Sequence, residues 1–461
     1  MRSFKLATLA AAALLAGCSM MPKYERPEAP VPGAFPYAGA PQGTAAADLD
    51  WQQFFADDAR LRELIATALR NNRDLRVAIL NIEQARAQYD IRRADRLPTV
   101  GFGVNGSRAP SPAGGSVETY TAGLAFSSWE IDFFGRVASL SEAALAQFLA
   151  TEEGRRAAQA TLVASVANVW LNLAADEELL AITRQTIATR DESLRLTRLR
   201  FENGASSEIE FRLAQSLAET ARATLSQLQR QRALDLNTLG LLLGEPVSTE
   251  YQVGVTTASV QLPDLPAGVP SDVLTRRPDV RQAEQQLVAA NANIGAARAA
   301  FFPRISLTAG IGTASTELSG LFSGGTWGLT VAPQLLVPIF DAGRNRAGLA
   351  SAQVGRDIAI AQYERSIQSA FREVSDGLAG RLTLADQVRA QATVVEAEST
   401  RLRLVQLRFD AGVASQLDLL DAQRSLFAAQ LNLVQVRLLR LQNQVQLYRA
   451  LGGGWTDAPR S

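Results

Sequence analysis

Leu402-Arg403-Leu404-Val405-Gln406-Leu407-Arg408-Phe409-Asp410-Ala411-Gly412-Val413-Ala414-Ser415-Gln416-Leu417-Asp418 has a counterpart 208 residues earlier. It reads Leu194-Arg195-Leu196-Thr197-Arg198-Leu199-Arg200-Phe201-Glu202-Asn203-Gly204-Ala205-Ser206-Ser207-Glu208-Ile209-Glu210 and aligns without a gap. Each copy reads as a helix end, a glycine turn and a helix start. Glycine adopts the left-handed conformation that closes a helix. Ser207 with Glu210, and Ser415 with Asp418, have the capping-box spacing that opens the next one. Each copy is therefore predicted to be the tip of a helical hairpin.

Working outward, the stretch from Gly135 to Asn203 lacks proline, and its one internal glycine is Gly154. That predicts a helix of about 68 residues, roughly 100 Å long. A return helix over 207–243 ends at Gly244-Glu245-Pro246, and an earlier helix over 72–96 stops before Pro98. The plan then recurs. Asp74-Leu75-Arg76 returns as Asp279-Val280-Arg281, Pro98 as Pro303, and Gly135-Arg136 as Gly343-Arg344, followed by a second long helix to Ala411 and a return helix from Ser415 to Leu451. The two shorter helices laid end to end nearly match the long one, so each repeat is expected to pack one long helix against two stacked shorter ones. The last helix carries a 3–4 seam of Leu417, Leu420, Arg424, Phe427, Leu431, Val434, Leu438, Leu441, Val445 and Tyr448, which reads as coiled-coil packing.

Between the helices the period changes to two. Val100, Phe102 and Val104 alternate with small residues, as do Tyr120, Ala122, Leu124 and Phe126. In the second repeat, Ile305, Leu307, Ala309 and Ile311 alternate likewise, as do Trp327, Leu329 and Val331. Two hairpins with one apolar and one small, polar face follow. Strands of about ten residues have the length to cross a bilayer at a tilt. Open edges are not tolerated in lipid, and bacterial barrels start at eight strands, so four strands per chain require a barrel shared between copies. Two copies would make a barrel filled by its own side chains, and three would make twelve strands with room for a lumen. A soluble sheet capping a helical bundle is the competing reading.

The chain has 461 residues, no histidine, one cysteine, and 46 basic against 46 acidic residues. That composition excludes most zinc sites, Ser-His-Asp triads and Cys-His pairs. No carboxylate constellation stands out in a non-helical pocket, so an enzyme is not expected, nor is a cofactor or metal. The balanced charge offers no global attraction to nucleic acid. Arg2 and Lys5 precede an apolar run from Leu6 to Leu14, and Leu15-Ala16-Gly17-Cys18 follows. This is a targeting segment that resembles a bacterial lipobox, with Cys18 as the lipidated residue, although an ordinary signal peptide would look similar. Ser19 in place of aspartate resembles the sorting signal for the outer membrane. Cleavage removes Arg2 and Lys5 and leaves 44 basic and 46 acidic residues. Prolines 22, 27, 30, 32, 36 and 41 make the next stretch an expected extended, mobile tether. No later stretch reads as a transmembrane helix.

The expected organisation is a signal peptide over 1–17, a lipid-anchored proline-rich stalk over 18–50, a first repeat over 51–250 with its β-hairpin at about 99–132, and a second repeat over 251–461 with its hairpin at about 304–337. The expected fold class is mainly α with membrane β, internally duplicated: long helical coiled-coil bundles joined to a β-barrel shared between protomers, four strands per chain.

Six stretches carry a resemblance. They are Leu15-Ala16-Gly17-Cys18, Trp51 with Phe54-Phe55, Asn72-Arg73-Asp74-Leu75, Arg277-Pro278-Asp279-Val280-Arg281-Gln282-Ala283-Glu284, Pro338-Ile339-Phe340-Asp341-Ala342-Gly343-Arg344, and Leu419-Leu420-Asp421-Ala422-Gln423. Together they resemble the TolC-like outer-membrane efflux factors, in particular the lipoprotein (NodT-type) branch. The resemblance implies a homotrimer with a twelve-stranded barrel in the outer membrane and a helical tunnel across the periplasm of a Gram-negative cell. It further implies a periplasmic adaptor (membrane fusion) protein at the tunnel tip and an inner-membrane pump of the resistance–nodulation–division type. Function is then gated passive conduction. The matching constriction residues are Leu417, Asp418 and Asp421, with Arg424 as an i, i+3 partner for Asp421. Glu208 and Glu210 lie at the other tip, and the surface around Gly204 and Gly412 is the expected adaptor contact. A ring of carboxylates on one axis would also select cations. Asp418 as a plain helix cap, Asp421 as a charge favourable to a helix N-terminus, and Leu417 as seam packing are the structural alternatives. The competing functions are metal-ion export, type I protein secretion, and a structural periplasmic coiled-coil lipoprotein without a pore.

Overall fold

A computed structural model describes residues 19–37, 49–110, 112, 114–248, 254–263, 265 and 271–455. In order these form α1 (Trp51–Phe54), α2 (Ala59–Asn71), α3 (Arg73–Ala94), β1 (Gly101–Pro110), β2 (Ser116–Glu130), α4 (Arg136–Glu202) and α5 (Glu208–Leu243). Then follow α6 (Pro278–Ala299), β3 (Arg304–Ser315), β4 (Trp327–Leu336), α7 (Arg344–Asp410) and α8 (Gln416–Ala450). Both long helices contain 67 residues, close to 100 Å at 1.5 Å per residue. The chain divides into two compact units that cut across the repeats. One holds residues up to 29, 80–153 and 281–366, and the other holds 30–79, 154–280 and 367 onward.

The first unit contains a single antiparallel sheet in the order β1-β2-β3-β4. Its register aligns the alternating faces. Phe102, Leu124, Ile311 and Leu329 form one row across all four strands, and Gly103, Gly123, Gly312 and Gly328 form the adjacent row on the opposite face. Phe102, Val104, Leu124, Ile311, Trp327, Leu329 and Val331 are exposed, which is the outward apolar band of a lipid-facing sheet and the reverse of a soluble layer. The glycine row is a packing requirement. A Cβ on Gly123 would lie 2.5 Å from the Gly312 Cα, and one on Gly312 would lie 2.5 Å from the Ala122 carbonyl oxygen, so the strands approach closely on that face and the sheet bends towards it. One bulge breaks the alternation. β2 inserts a residue between Phe126 and Trp129, with Ser128 at φ 52° and its amide donating to Thr308 Oγ1 at 3.0 Å. At the foot of the sheet, Glu130 receives Arg136 at 2.7 Å and Arg304 at 2.8 Å, tying the start of α4 to β3.

The stalk is docked where it is described. The Pro22 carbonyl accepts from Asn291 at 2.8 Å, the Met20 carbonyl accepts from Arg298, and Glu284 receives both Arg26 (2.7 and 2.9 Å) and the Tyr24 hydroxyl. Glu284, Asn291 and Arg298 repeat every seven residues and so share one face of α6. Gly295 on that face has no Cβ because one would meet the Met21 Cα at 2.8 Å. The expected mobile tether is thus replaced, over residues 20–26, by a strap running antiparallel to α6.

In the second unit, the expected stacking of shorter helices is visible at two equivalent junctions. Asn72 caps α3 through the Leu75 amide (2.9 Å) while its Nδ2 donates to the Leu242 carbonyl at the end of α5 (3.0 Å). Arg277, its repeat counterpart, donates to the Ala450 carbonyl at the end of α8 (2.8 Å) and is neutralised by Asp279 and Glu373. The helices pack through Ala175, Leu179 and Val434, and through Ala214, Leu217 and Leu420. Leu420, Phe427, Val434, Leu441, Val445 and Tyr448 of the expected α8 seam are buried, but Leu417 and Arg424 are exposed. Leu419, Ala422, Leu433, Val436 and Leu447 are buried beside that seam, because α8 is packed over a wider arc than a two-stranded seam. Among the described residues one helix, α4, has an 18-residue window apolar enough for a membrane, but that window is 67% buried within the chain, as in a packed core.

Two outcomes are expected. Gly312→Ala should destabilise the sheet by about 1–3 kcal/mol through overpacking, whereas Gly328→Ala, whose Cβ meets nothing within 4 Å, should be near neutral; denaturant midpoints of the two variants compare them directly. Asp176 on α4 interacts with Asp235 on α5, and burial, followed by the Asp235 charge, pushes the Asp176 carboxyl up to about 8. A folded-state pKa raised above the unfolded value near 4 contributes stability that is fully present below that value and is lost as pH rises through about 8. Urea midpoints should therefore fall from pH 5 to pH 8 more steeply in the wild type than in Asp235→Asn.

Candidate functional site at the hairpin tips

Both tips close in the same way. Gly204 and Gly412 have φ of 70° and 75°. The Ala205 amide reaches back to the Arg200 carbonyl and the Val413 amide to the Arg408 carbonyl, both at 2.8 Å. Gly204 bonds to Phe201 and Gly412 to Phe409. These are paired Schellman closures. Capping boxes then open α5 through Ser207 and Glu210, and α8 through Ser415 and Asp418.

The carboxylates of the second tip differ in use. Asp418 accepts from the Ser415 hydroxyl (2.7 Å) and amide (3.0 Å), and these bonds hold it below the usual carboxylate range. It is a helix cap. Asp421 stands between two guanidinium groups, Arg401 on α7 and Arg424 one turn along α8, each at 2.5 Å. The hydrogen bond from Arg401, then that from Arg424, lowers its pKa. Leu417 is 56% exposed, so it is not packed against its own chain. The expected Asp421–Arg424 pair is present. The sequence reading missed Arg401, which lies eleven residues before Gly412, while Asp421 lies nine after it. Near-symmetric spacing about a hairpin turn was the available signal.

The first tip is built otherwise. Glu210 accepts from the Ser206 hydroxyl (2.6 Å) and the Ser207 amide (3.0 Å), which lower its pKa. Glu208 pairs with Arg212 at 3.2 Å. Phe201 stacks on Phe211 with centroids 5.5 Å apart, and Arg198 and Arg212 approach that Phe211 ring. Arg200 lies over Phe409 at 5.0 Å, joining the two tips. At the repeat positions of Arg401 and Asp421 the first copy has Ser193 and Leu213, so only the second tip carries the charged clamp. Cys18 lies outside the described residues. Among the described residues no cluster of three or more metal-ligating side chains occurs.

The family model for outer membrane efflux proteins matches residues 64–245 and 269–453, one stretch per repeat. The chain is 47% identical to the probable efflux pump outer membrane protein TtgC and to the antibiotic efflux pump outer membrane protein ArpC, both of Pseudomonas putida, over 96% of this chain and 94% of each relative. It superimposes on the open-state structure of the Neisseria gonorrhoeae MtrE outer membrane channel with a TM-score of 0.88 and 40% identity, covering 96% of this chain and 100% of that one. This chain belongs to the outer membrane efflux protein family, and it is an outer-membrane component of an efflux system.

Proposed function

We propose that three copies of this chain form the exit duct of a tripartite efflux system, passing small molecules from the periplasm to the exterior. The observation that carries this reading is the sheet: an exposed apolar face, an opposite face of glycine, serine and threonine, and two outer edges, β1 and β4, without a neighbour among the described strands. Unpaired backbone is not tolerated in lipid. Three sheets of four give the smallest count above eight that leaves a lumen. Exposed Leu404 and Leu407 on α7 supply an apolar helix face for a neighbouring copy to cover. The Pseudomonas relative named for antibiotic efflux supports drugs as cargo.

In this reading the chain is anchored by lipid on Cys18. The strap supports that: the Met20 carbonyl accepts from Arg298 in the last turn of α6, shortly before β3 begins. A periplasmic adaptor would dock around Gly204, Glu208, Glu210 and Gly412, and an inner-membrane resistance–nodulation–division pump would supply the energy. The gate would be the second tip. Leu417 narrows the passage, while Arg401 on α7 holds Asp421 on α8, so that α7 and α8 cannot part without breaking that charge-assisted bond, and Arg424, one turn along α8, holds the same carboxylate in place. Asp418 contributes by fixing the first turn of α8.

Single-channel recording in planar bilayers tests both layers. The wild type should conduct as a trimer with a predominantly closed, low-conductance state. Arg401→Ala, Arg424→Ala and Asp421→Asn should each raise the open fraction and admit antibiotics that the wild type excludes. Because Asp421 is lowered from its ordinary pKa, its share of the closed state is present above about pH 4 and lost as pH falls through the depressed value. A monomeric, non-conducting protein would overturn the duct. Wild-type gating in all three variants would remove the gate while leaving the duct standing.

A further inference from the structure

We infer that the cleft around Arg190, between α4, α7 and α8, binds a small monovalent anion. Arg190 is 3% exposed. Its Nη1 donates to the Leu217 carbonyl at 2.7 Å, its guanidinium lies over the Phe427 ring at 4.8 Å, and its buried Nε has no partner. Burial lowers its pKa, and among the described residues no carboxylate pairs with it to offset that. The contrast is with Arg277, which is 4% exposed but has both Asp279 and Glu373. A buried, unpaired cation is strongly unfavourable. An α4 that needed only packing here would carry a neutral side chain.

The cleft beside Arg190 has a volume of about 160 Å³, room for a small anion with ordered water. Its lining includes Thr186, Thr189, Gln423 and Gln430 and contains neither aspartate nor glutamate. Gln423, itself 7% exposed, is bound at one end to Ser193 Oγ at 3.2 Å, and its Oε1 is buried without a partner. Turning that amide lets Oε1 accept from the Ser193 hydroxyl and presents Nε2 as a donor. The Thr189 hydroxyl is spent on the Gln185 carbonyl at 3.2 Å, so the guanidinium, the Thr186 hydroxyl and an amide supply the donors of an acid-free site suited to chloride or to the carboxylate of a small organic acid. Arg190 belongs to the first repeat and Gln423 to the second, so a bound anion would tie the two hairpins together. At the repeat position of Arg190 stands Glu398, so the second copy has no equivalent site.

The test uses the full chain crystallised with sodium bromide. An anomalous peak within hydrogen-bonding range of Arg190 in the wild type, absent in Arg190→Gln, is the expected result. In solution, exchanging fluoride for chloride at constant ionic strength should raise the wild-type thermal midpoint in a saturable way, by linkage, and leave Arg190→Gln unmoved. Three results would overturn the site: no peak at Arg190, a protein carboxylate from a neighbouring copy paired with it, or a peak with no chloride response in solution, meaning binding at crystal concentration only. The wild-type measurements decide the matter even if the variant fails to assemble.

Discussion

The structure depends on backbone hydrogen bonds that one chain cannot complete. β2 and β3 are paired on both sides, but β1 and β4 each have an outer edge without a partner among the described strands. In water such an edge is an aggregation hazard. In lipid every unsatisfied peptide group costs several kcal/mol. The apolar row from Phe102 to Leu329 lies on one face of this sheet, and the glycine row on the other allows the strands to bend around a small, polar interior. A lipid-facing outside, a curved backbone and two free edges are mutually consistent only if copies of the chain close the sheet for one another.

Duplication supplies a second economy, and its departures are informative. The Schellman turns, the capping boxes and the junctions at Asn72 and Arg277 are the same device used twice, even where the residue types differ. The tips then diverge. The first is braced by Phe201, Phe211 and their arginines, and the second is held by a charged clamp of Arg401, Asp421 and Arg424. An aromatic brace is insensitive to acid and salt, whereas an exposed ion pair responds to both. That difference is what the proposed division into a fixed outer wall and a movable gate requires.

Much of this was legible in the sequence because it is local. The glycine turns, the capping boxes, the proline-free 67-residue helices and the alternating strands follow from residues a few positions apart. The contacts that were not legible join distant positions. Arg200 on Phe409, Arg401 on Asp421 and Gln423 on Ser193 require knowing which helices are neighbours and at what register. The strap of residues 20–26 escaped a composition argument: prolines describe a chain with no internal structure of its own, but Glu284, Asn291, Gly295 and Arg298 on α6 provide the surface that orders it. The exposed positions of Leu417 and Arg424 show the same limit, since a 3–4 seam marks a helix face without saying where its partner ends. The bulge at Ser128 left no pattern in a stretch of small residues.

The most direct measurement is disulfide mapping between the two free edges. In a Cys18→Ser background, one cysteine is placed on β1 and one on β4, over a panel of registers, and the protein is oxidised in outer-membrane vesicles. The account predicts a ladder of cross-linked monomer, dimer and trimer that ends at a closed trimer, with bridges only in registers that align the strands antiparallel. Bridges confined to a single chain, or a ladder that stops at dimer or runs on past trimer, would contradict it.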